Sequence, residues 1–236
     1  MEARTAWEAA VADDRVGAPG GELSNSLGNL GNVCALLQDF EQAEACYREV
    51  LQLQRTEQNR HAIAHTLVNL GNLHIGQDRP EKARPYYLEA LDLLRELGDE
   101  RALGILHHNL ALQALREGHW EDTIASFTQA LSHHRTVGNE EGLAATYAQM
   151  GKAFLDHEDL VKAERALNNA TEHYVKLGQA PAEAAVLRLL GMLYERKQDR
   201  GSATRCLERA VHIDERYHLP EEEDDRARLA RLHTFP

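Results

Sequence analysis

The sequence predicts an all-α protein, a right-handed α-α superhelix (solenoid) of five helix-turn-helix repeats with an N-terminal half-repeat and a C-terminal capping helix. Two observations predict this class. Small residues recur along the chain at one fixed period, and each period contains two apolar stripes of helical spacing. The composition agrees, because aromatic residues make up only 6% of the chain, which favours close helix packing over a β-sandwich core.

The period is 40 residues, and its first marker is a column of small residues on the first helix of each repeat: Gly31, Gly71, Ala111, Gly151 and Gly191. Twelve residues later a second small column follows: Ala43, Ala83, Thr123, Ala163 and Ala203. Four residues beyond it a larger side chain recurs: Tyr47, Tyr87, Phe127, Leu167 and Leu207. Small residues let paired helices approach closely, and the larger one fills the space between pairs. Because one pair cannot bury its own apolar face, the pairs must stack.

Turn signals separate the helices within and between repeats. The polar break of residues 76–80 ends in Pro80, which suits the first position of a helix. Gly98, Gly138 and Gly178 each follow a second apolar stripe by one or a few residues. Glycine in that place supplies the left-handed conformation that commonly ends a helix. The sequence therefore predicts two helices per repeat.

The two ends of the chain depart from a whole repeat. Residues 2–15 have the pattern of a second helix without its first, and residues 17–21 are expected to form a flexible connection, so residues 1–21 are a half-repeat with its linker. This half-repeat is either an N-terminal cap or part of a longer protein. Residues 22–219 hold the five repeats, and residues 220–236 are expected to form a capping helix, with an acidic segment for a basic partner as the alternative.

The repeated residues resemble a known family. Leu70-Gly71-Asn72 followed by Ala83, Tyr87 and Ala90 resembles the tetratricopeptide repeat, in a form longer than the common one of 34 residues. The 40-residue form is similar to the repeats of the Pins/LGN family of polarity adaptors, of kinesin light chains and of bacterial regulators. The resemblance implies a non-enzymatic scaffold whose first helices line a concave, partner-binding face.

Charge and chemistry exclude several other classes. The net charge of −12 opposes binding to nucleic acid or to an anionic membrane surface. We find no phosphate-binding loop, nucleophile elbow or zinc-protease motif, so we expect no catalytic residues, metal site or cofactor. Three widely spaced cysteines are no disulfide framework, and no apolar run is long enough for a membrane span, so a cytoplasmic location is expected.

The expected peptide-binding residues lie beside the glycine column: Asn29, Asn32, His65, Asn69, Asn72, His108, Asn109, Arg116, Gln149, Lys152 and Arg188. A side-chain amide can accept from a backbone N–H and donate to a backbone C=O of an extended peptide. Bonds to neighbouring helices, which would stiffen the stack, are the alternative use. Arg116, Lys152 and Arg188 are either a diagonal basic line for an acidic ligand or ordinary surface charge.

The leading hypothesis is therefore an adaptor that holds an extended peptide or helix of a protein partner in its concave groove. Two alternatives stay open at this point. One is a sensory or regulatory segment of a larger signalling protein. The other is a self-associating module, a homo-oligomer joined through its repeat ends.

Overall fold

The computed structural model describes residues 2–17 and 20–234, and all regular secondary structure in them is helical, as predicted. The helices are α1 Glu2–Gly17, α2 Gly20–Leu36, α3 Phe40–Thr56, α4 Arg60–Gly76, α5 Pro80–Leu97, α6 Glu100–Arg116, α7 Trp120–Thr136, α8 Glu140–Asp156, α9 Leu160–Leu177, α10 Ala180–Arg196, α11 Arg200–Tyr217 and α12 Glu222–Thr234. The sequence predicts a flexible connection over residues 17–21. Within it, Gly17 ends α1 and Gly20 begins α2, and residues 18 and 19 lie outside the described residues.

The turns of the repeats share several features. Gly98, Gly138 and Gly178 have φ between 64° and 67° and end or follow second helices, as the glycine pattern predicts. Pro80 is the first residue of α5, also as predicted. Three of the second helices, α3, α9 and α11, have an aspartate at the N-cap: Asp159, for example, accepts from the backbone N–H of Lys162. Such caps satisfy N–H groups that have no partner inside the helix. The N-cap of α5 is Arg79, which makes no such bond.

The chain divides into two compact units, Met1–Thr123 and Ile124–Pro236, with the boundary inside α7. In the first unit α2 pairs with α3, and α4 with α5. The glycine column makes this pairing close: a Cβ at Gly31 would lie 2.8 Å from the ring of Tyr47, and a Cβ at Gly71 would lie 2.2 Å from the ring of Tyr87. Each ring therefore lies directly over the backbone of the facing first helix.

In the second unit the side chains that face the column glycines Gly151 and Gly191 are aliphatic, Leu167 and Leu207. Here α8 pairs with α9 and α10 with α11, and α12 packs against α11. A Cβ at Gly151 would lie 2.7 Å from the side chain of Leu167. Leu167 and Leu207 are fully buried. Among the described residues, no helix is both long enough and apolar enough to cross a membrane.

Candidate functional site

The first helices of the repeats expose one stripe of side chains, spaced by four, three and four residues. In the first unit it comprises Asn25, Asn29, Asn32 and Leu36 on α2, His65, Asn69, Asn72 and Gly76 on α4, and Ile105, Asn109, Leu112 and Arg116 on α6. Its members are exposed or half-buried, whereas the glycine slots beside it are buried. The stripe thus contains most of the residues that the sequence predicts for peptide binding.

The residue after each of the first two column glycines accepts a hydrogen bond from a buried tyrosine. Tyr47 Oη donates to Asn32 Oδ1 at 2.7 Å, and Tyr87 Oη donates to Asn72 Oδ1 at 2.6 Å. Glycine lets each ring cross the first helix, so that the hydroxyl reaches the surface one residue further on. Burial raises the pKa of Tyr47 to about 12 and also raises the pKa of Tyr87, so both phenols stay protonated donors.

These bonds fix the orientation of the two amides. With Oδ1 held by a tyrosine, Asn32 and Asn72 direct both amide hydrogens elsewhere. Asn109 Nδ2 also donates to Asn72 Oδ1, at 2.8 Å, which links α6 to α4. Asn109 Oδ1 is then left as an acceptor. The pair therefore offers donors from Asn72 and an acceptor from Asn109 at adjacent positions.

Asn29 and Asn69 occupy the same position of the stripe on α2 and on α4. Both are half-buried, and among the described residues neither side chain has a hydrogen-bond partner. His65 lies exposed beside Asn69 on α4, and His108 is half-buried beside Asn109 on α6. We call Asn29, Asn32, Asn69, Asn72 and Asn109 the amide face of the first unit. It combines fixed donors with unengaged amides on three successive first helices.

The three remaining predicted residues of α6 and α8 are Arg116, Gln149 and Lys152, and they have different surroundings. Arg116 is exposed and its Nη1 donates to the backbone oxygen of Ile75, the penultimate residue of α4. Arg196 makes the equivalent bond to the backbone oxygen of Leu155 at 2.6 Å. These arginines satisfy carbonyls at the C-terminus of the preceding first helix. Gln149 and Lys152 of the second unit are exposed on α8.

Arg188 is held by buried carboxylates. Its Nη2 lies 2.6 Å from Asp214 Oδ1, and its Nε pairs with Asp225 Oδ2 on α12. Asp214 is fully buried, and only 17% of the Arg188 side chain is exposed. Of the three members of the expected basic line, Lys152 is thus exposed, whereas Arg116 and Arg188 each bind a neighbouring element.

Sequence reasoning missed the tyrosine-asparagine pairs as the device that orients the amides. The sequence contained a signal, because the large residue of the second helix and the residue after the column glycine vary together from repeat to repeat. Where the large slot holds Tyr47 or Tyr87, the slot after the column glycine holds Asn32 or Asn72. In the later repeats Phe127, Leu167 and Leu207 coincide with Leu112, Lys152 and Met192. No group of metal-ligating side chains that could hold an ion occurs among the described residues.

These features define a helical-hairpin repeat protein. More particularly, residues 22–96 match the sequence profile of the Tetratricopeptide repeat family, so this part of the chain carries tetratricopeptide repeats. No curated protein matches the sequence. The fold is similar to that of BtubC (BKLC) from P. vanneervenii, at 22% identity over 92% of each chain with a TM-score of 0.82.

Two further solved structures share the fold. One is a Signal Transduction ATPase with Numerous Domains protein with a tetratricopeptide repeat sensor from Pyrococcus horikoshii, 14% identical, with a TM-score of 0.82. The match covers 94% of this chain and 35% of that one. The other is a Rap protein complexed with Competence and Sporulation Factor, 11% identical over 98% of this chain and 69% of that one, with a TM-score of 0.73. The tetratricopeptide fold generally mediates protein-protein interaction.

Proposed function

We propose that the protein is a non-enzymatic scaffold that binds an extended peptide segment of a protein partner on the amide face of the first unit. The observation that carries this proposal is the arrangement of Asn72 and Asn109, whose mutual bond leaves donors on one amide and an acceptor on the other. An extended peptide presents N–H and C=O groups alternately along its edge. The amide face can therefore bind main chain without selecting particular side chains.

The energetics favour this use over a purely structural one for part of the face. The oxygens of Asn32 and Asn72 already stabilise the fold, because they accept from buried tyrosines. Asn29 and Asn69 lack such partners among the described residues, so their amides pay no rearrangement cost when a ligand binds. The oriented amides of Asn32 and Asn72 are preorganised and lose little conformational freedom on binding.

We also propose that the partner is a protein or peptide and that the protein is located in the cytoplasm. A protein or peptide ligand fits a face made of neutral amides and histidines better than a nucleic acid does, given the net charge of −12. The three cysteines are free thiols, which is compatible with the reducing cytoplasm that we propose. Self-association through the repeat ends stays a prediction, which sedimentation over a range of concentrations would check.

The experiment is a selection of displayed random peptides on the wild-type chain, repeated on two variants. Asn29→Ala/Asn69→Ala removes the two unengaged amides. Gln52→Ala/Gln129→Ala is the matched control, because it removes two exposed amides from second helices. Circular dichroism should show equal helix content in all three proteins.

The proposal expects peptides that are enriched on wild type and on the control but lost from Asn29→Ala/Asn69→Ala. Each lost amide should weaken a selected peptide by a factor of about 2 to 10, the usual value of one hydrogen bond. Equal enrichment on all three proteins, or no enrichment on wild type, would contradict the proposal.

A sensory role within a longer signalling protein is the second candidate. The observation that favours it is the fold similarity to the Pyrococcus horikoshii protein, in which the match spans about a third of that chain. The size of the native gene product, measured by immunoblotting, separates the candidates. A product much larger than 26.5 kDa supports the sensory role, and a product of that mass argues against it.

A further inference from the structure

A basic groove lies in the second unit, between the C-terminal end of α10, the start of α11 and the last turns of α12. A cavity of about 450 Å³ there is lined by Glu195, Gln198, Arg200, Arg228, Arg231 and Leu232. A neighbouring cavity of about 430 Å³ adds Met192 and Arg196 and shares Glu195 and Arg228. We call these two neighbouring cavities the arginine groove. Its residues all lie within 192–232, apart from the amide face.

The charge of the groove is opposite to that of the protein. Four arginines line it against one carboxylate, Glu195, whereas the whole chain carries −12. Glu195 Oε1 accepts from Arg228 Nε at 2.9 Å, so one positive charge is balanced inside the groove. Asp199, next to Arg200, is the N-cap of α11 and binds the backbone N–H and the hydroxyl of Ser202. Neither carboxylate pairs with Arg200.

Arg200 is in an unfavourable place for a cation when nothing is bound. It is the first residue of α11, where the helix dipole has its positive end. Among the described residues, its side chain has no carboxylate partner, although it is partly buried. An anionic ligand would relieve both the repulsion by the dipole and the repulsion by the other arginines of the groove.

We propose that the arginine groove binds an acidic peptide segment that also carries an apolar side chain. The arginines offer forked donors that match carboxylates. Met192, 36% exposed, and half-buried Leu232 offer an apolar contact beside them. A nucleic acid or an anionic membrane would bring the acidic remainder of the protein near a polyanion, and this repulsion favours a short peptide. The groove is a second site, and this proposal does not depend on the one made for the amide face.

The experiment uses the full chain and a fluorescein-labelled peptide of glutamate and aspartate with single leucines between them, followed by fluorescence anisotropy. A second peptide replaces each acid by its amide. Arg200→Ala/Arg231→Ala removes two groove charges; Arg101→Ala/Arg165→Ala removes two exposed arginines elsewhere and matches the change in net charge. Arg200→Ala should not destabilise α11, because it removes a cation from the positive end of the helix.

We expect the acidic peptide to bind wild type and the control equally, and to bind Arg200→Ala/Arg231→Ala about tenfold more weakly. Affinity should fall as salt shortens the Debye length, and the amide peptide should not bind. Equal loss in both variants, binding of the amide peptide, or no binding by wild type would overturn the proposal. So would tighter binding of single-stranded DNA or phosphatidylserine vesicles than of the peptide. Variants of the amide face should leave this binding unchanged.

Discussion

The hydroxyl of Tyr87 donates a hydrogen bond to Asn72 Oδ1 at 2.6 Å, across a first helix that Gly71 keeps free of a side chain. Tyr47 and Asn32 repeat this relationship 40 residues earlier. One part-buried bond thus connects the packing of a repeat to the orientation of an amide on its surface. The core and the candidate site share a residue pair.

Tyr87→Phe removes this donor and keeps the ring. The Asn72 oxygen loses a buried partner, so we expect the free energy of unfolding to fall by about 1 kcal/mol. Urea denaturation measures the change. Tyr86→Phe is the control on the same helix, because Tyr86 is half-buried and stacks on His74; its effect should stay below about 0.5 kcal/mol. Equal effects of the two substitutions would refute the role of the Tyr87 hydroxyl.

Gly71→Ala should destabilise the protein although alanine is the better helix former. A helical glycine costs roughly 1 kcal/mol relative to alanine, but the new Cβ would lie 2.2 Å from the Tyr87 ring. Overpacking costs about 1 to 3 kcal/mol, so thermal unfolding should occur at lower temperature. Gly28→Ala has nothing within 4 Å of the new Cβ and should instead stabilise. A stabilised Gly71→Ala variant would contradict the close packing of the ring.

Asp214 should make the protein less stable as pH rises, whereas a carboxylate with a lowered pKa does the opposite. Burial raises the pKa of its carboxyl in spite of Arg188, whereas the unfolded chain has a value near 3.9. The native state therefore binds this proton more tightly than the unfolded chain does. The contribution of Asp214 to the free energy of unfolding is present in acid and is lost as pH rises through the pKa of the folded state.

Asp214→Asn removes this titration. Relative to wild type, its free energy of unfolding should rise as pH increases from about 4, the unfolded value, through the raised pKa of Asp214 in the folded protein. Arg188, Asp225 and the more distant Glu221 remain around the site in the variant. Asp92→Asn, at an exposed position of α5, should show no such rise. Parallel pH profiles for wild type and Asp214→Asn would rule out the raised pKa.

The cysteines should differ in reactivity according to burial. Burial raises the pKa of Cys46 to about 11 and also raises the pKa of Cys34, and their side chains are almost inaccessible. Burial also raises the pKa of Cys206, but its side chain is partly exposed, so access to the reagent distinguishes it from the other two. Iodoacetamide at about pH 8 should therefore label Cys206 first, and should reach Cys34 and Cys46 only in denaturant. Mass spectrometry of peptides follows the labelling, and equal rates in the native protein would contradict the buried positions.

The repeat and its slots could be predicted from the sequence, because a fixed period records which residues face the core. Pro80 and Gly98 even marked helix ends correctly. The period does not record what lies opposite a side chain. Arg188 shares its slot with Gly28, Val68, His108 and Ala148 of the other repeats, but only here do α11 and α12 bring two aspartates to it. The arginine groove likewise arises where α12 departs from the period, so no repeated pattern could indicate it.

The most direct test of the central claim, that the amide face binds main chain, is a double-mutant cycle with a selected peptide. One partner of the cycle is Asn69→Ala, and the other is a peptide whose backbone N–H groups are replaced one at a time by ester oxygens. We expect one ester to weaken binding to wild type by a factor of about 5 while it has little effect on Asn69→Ala. If every ester weakens both proteins equally, Asn69 makes no main-chain bond and the account of this face is wrong.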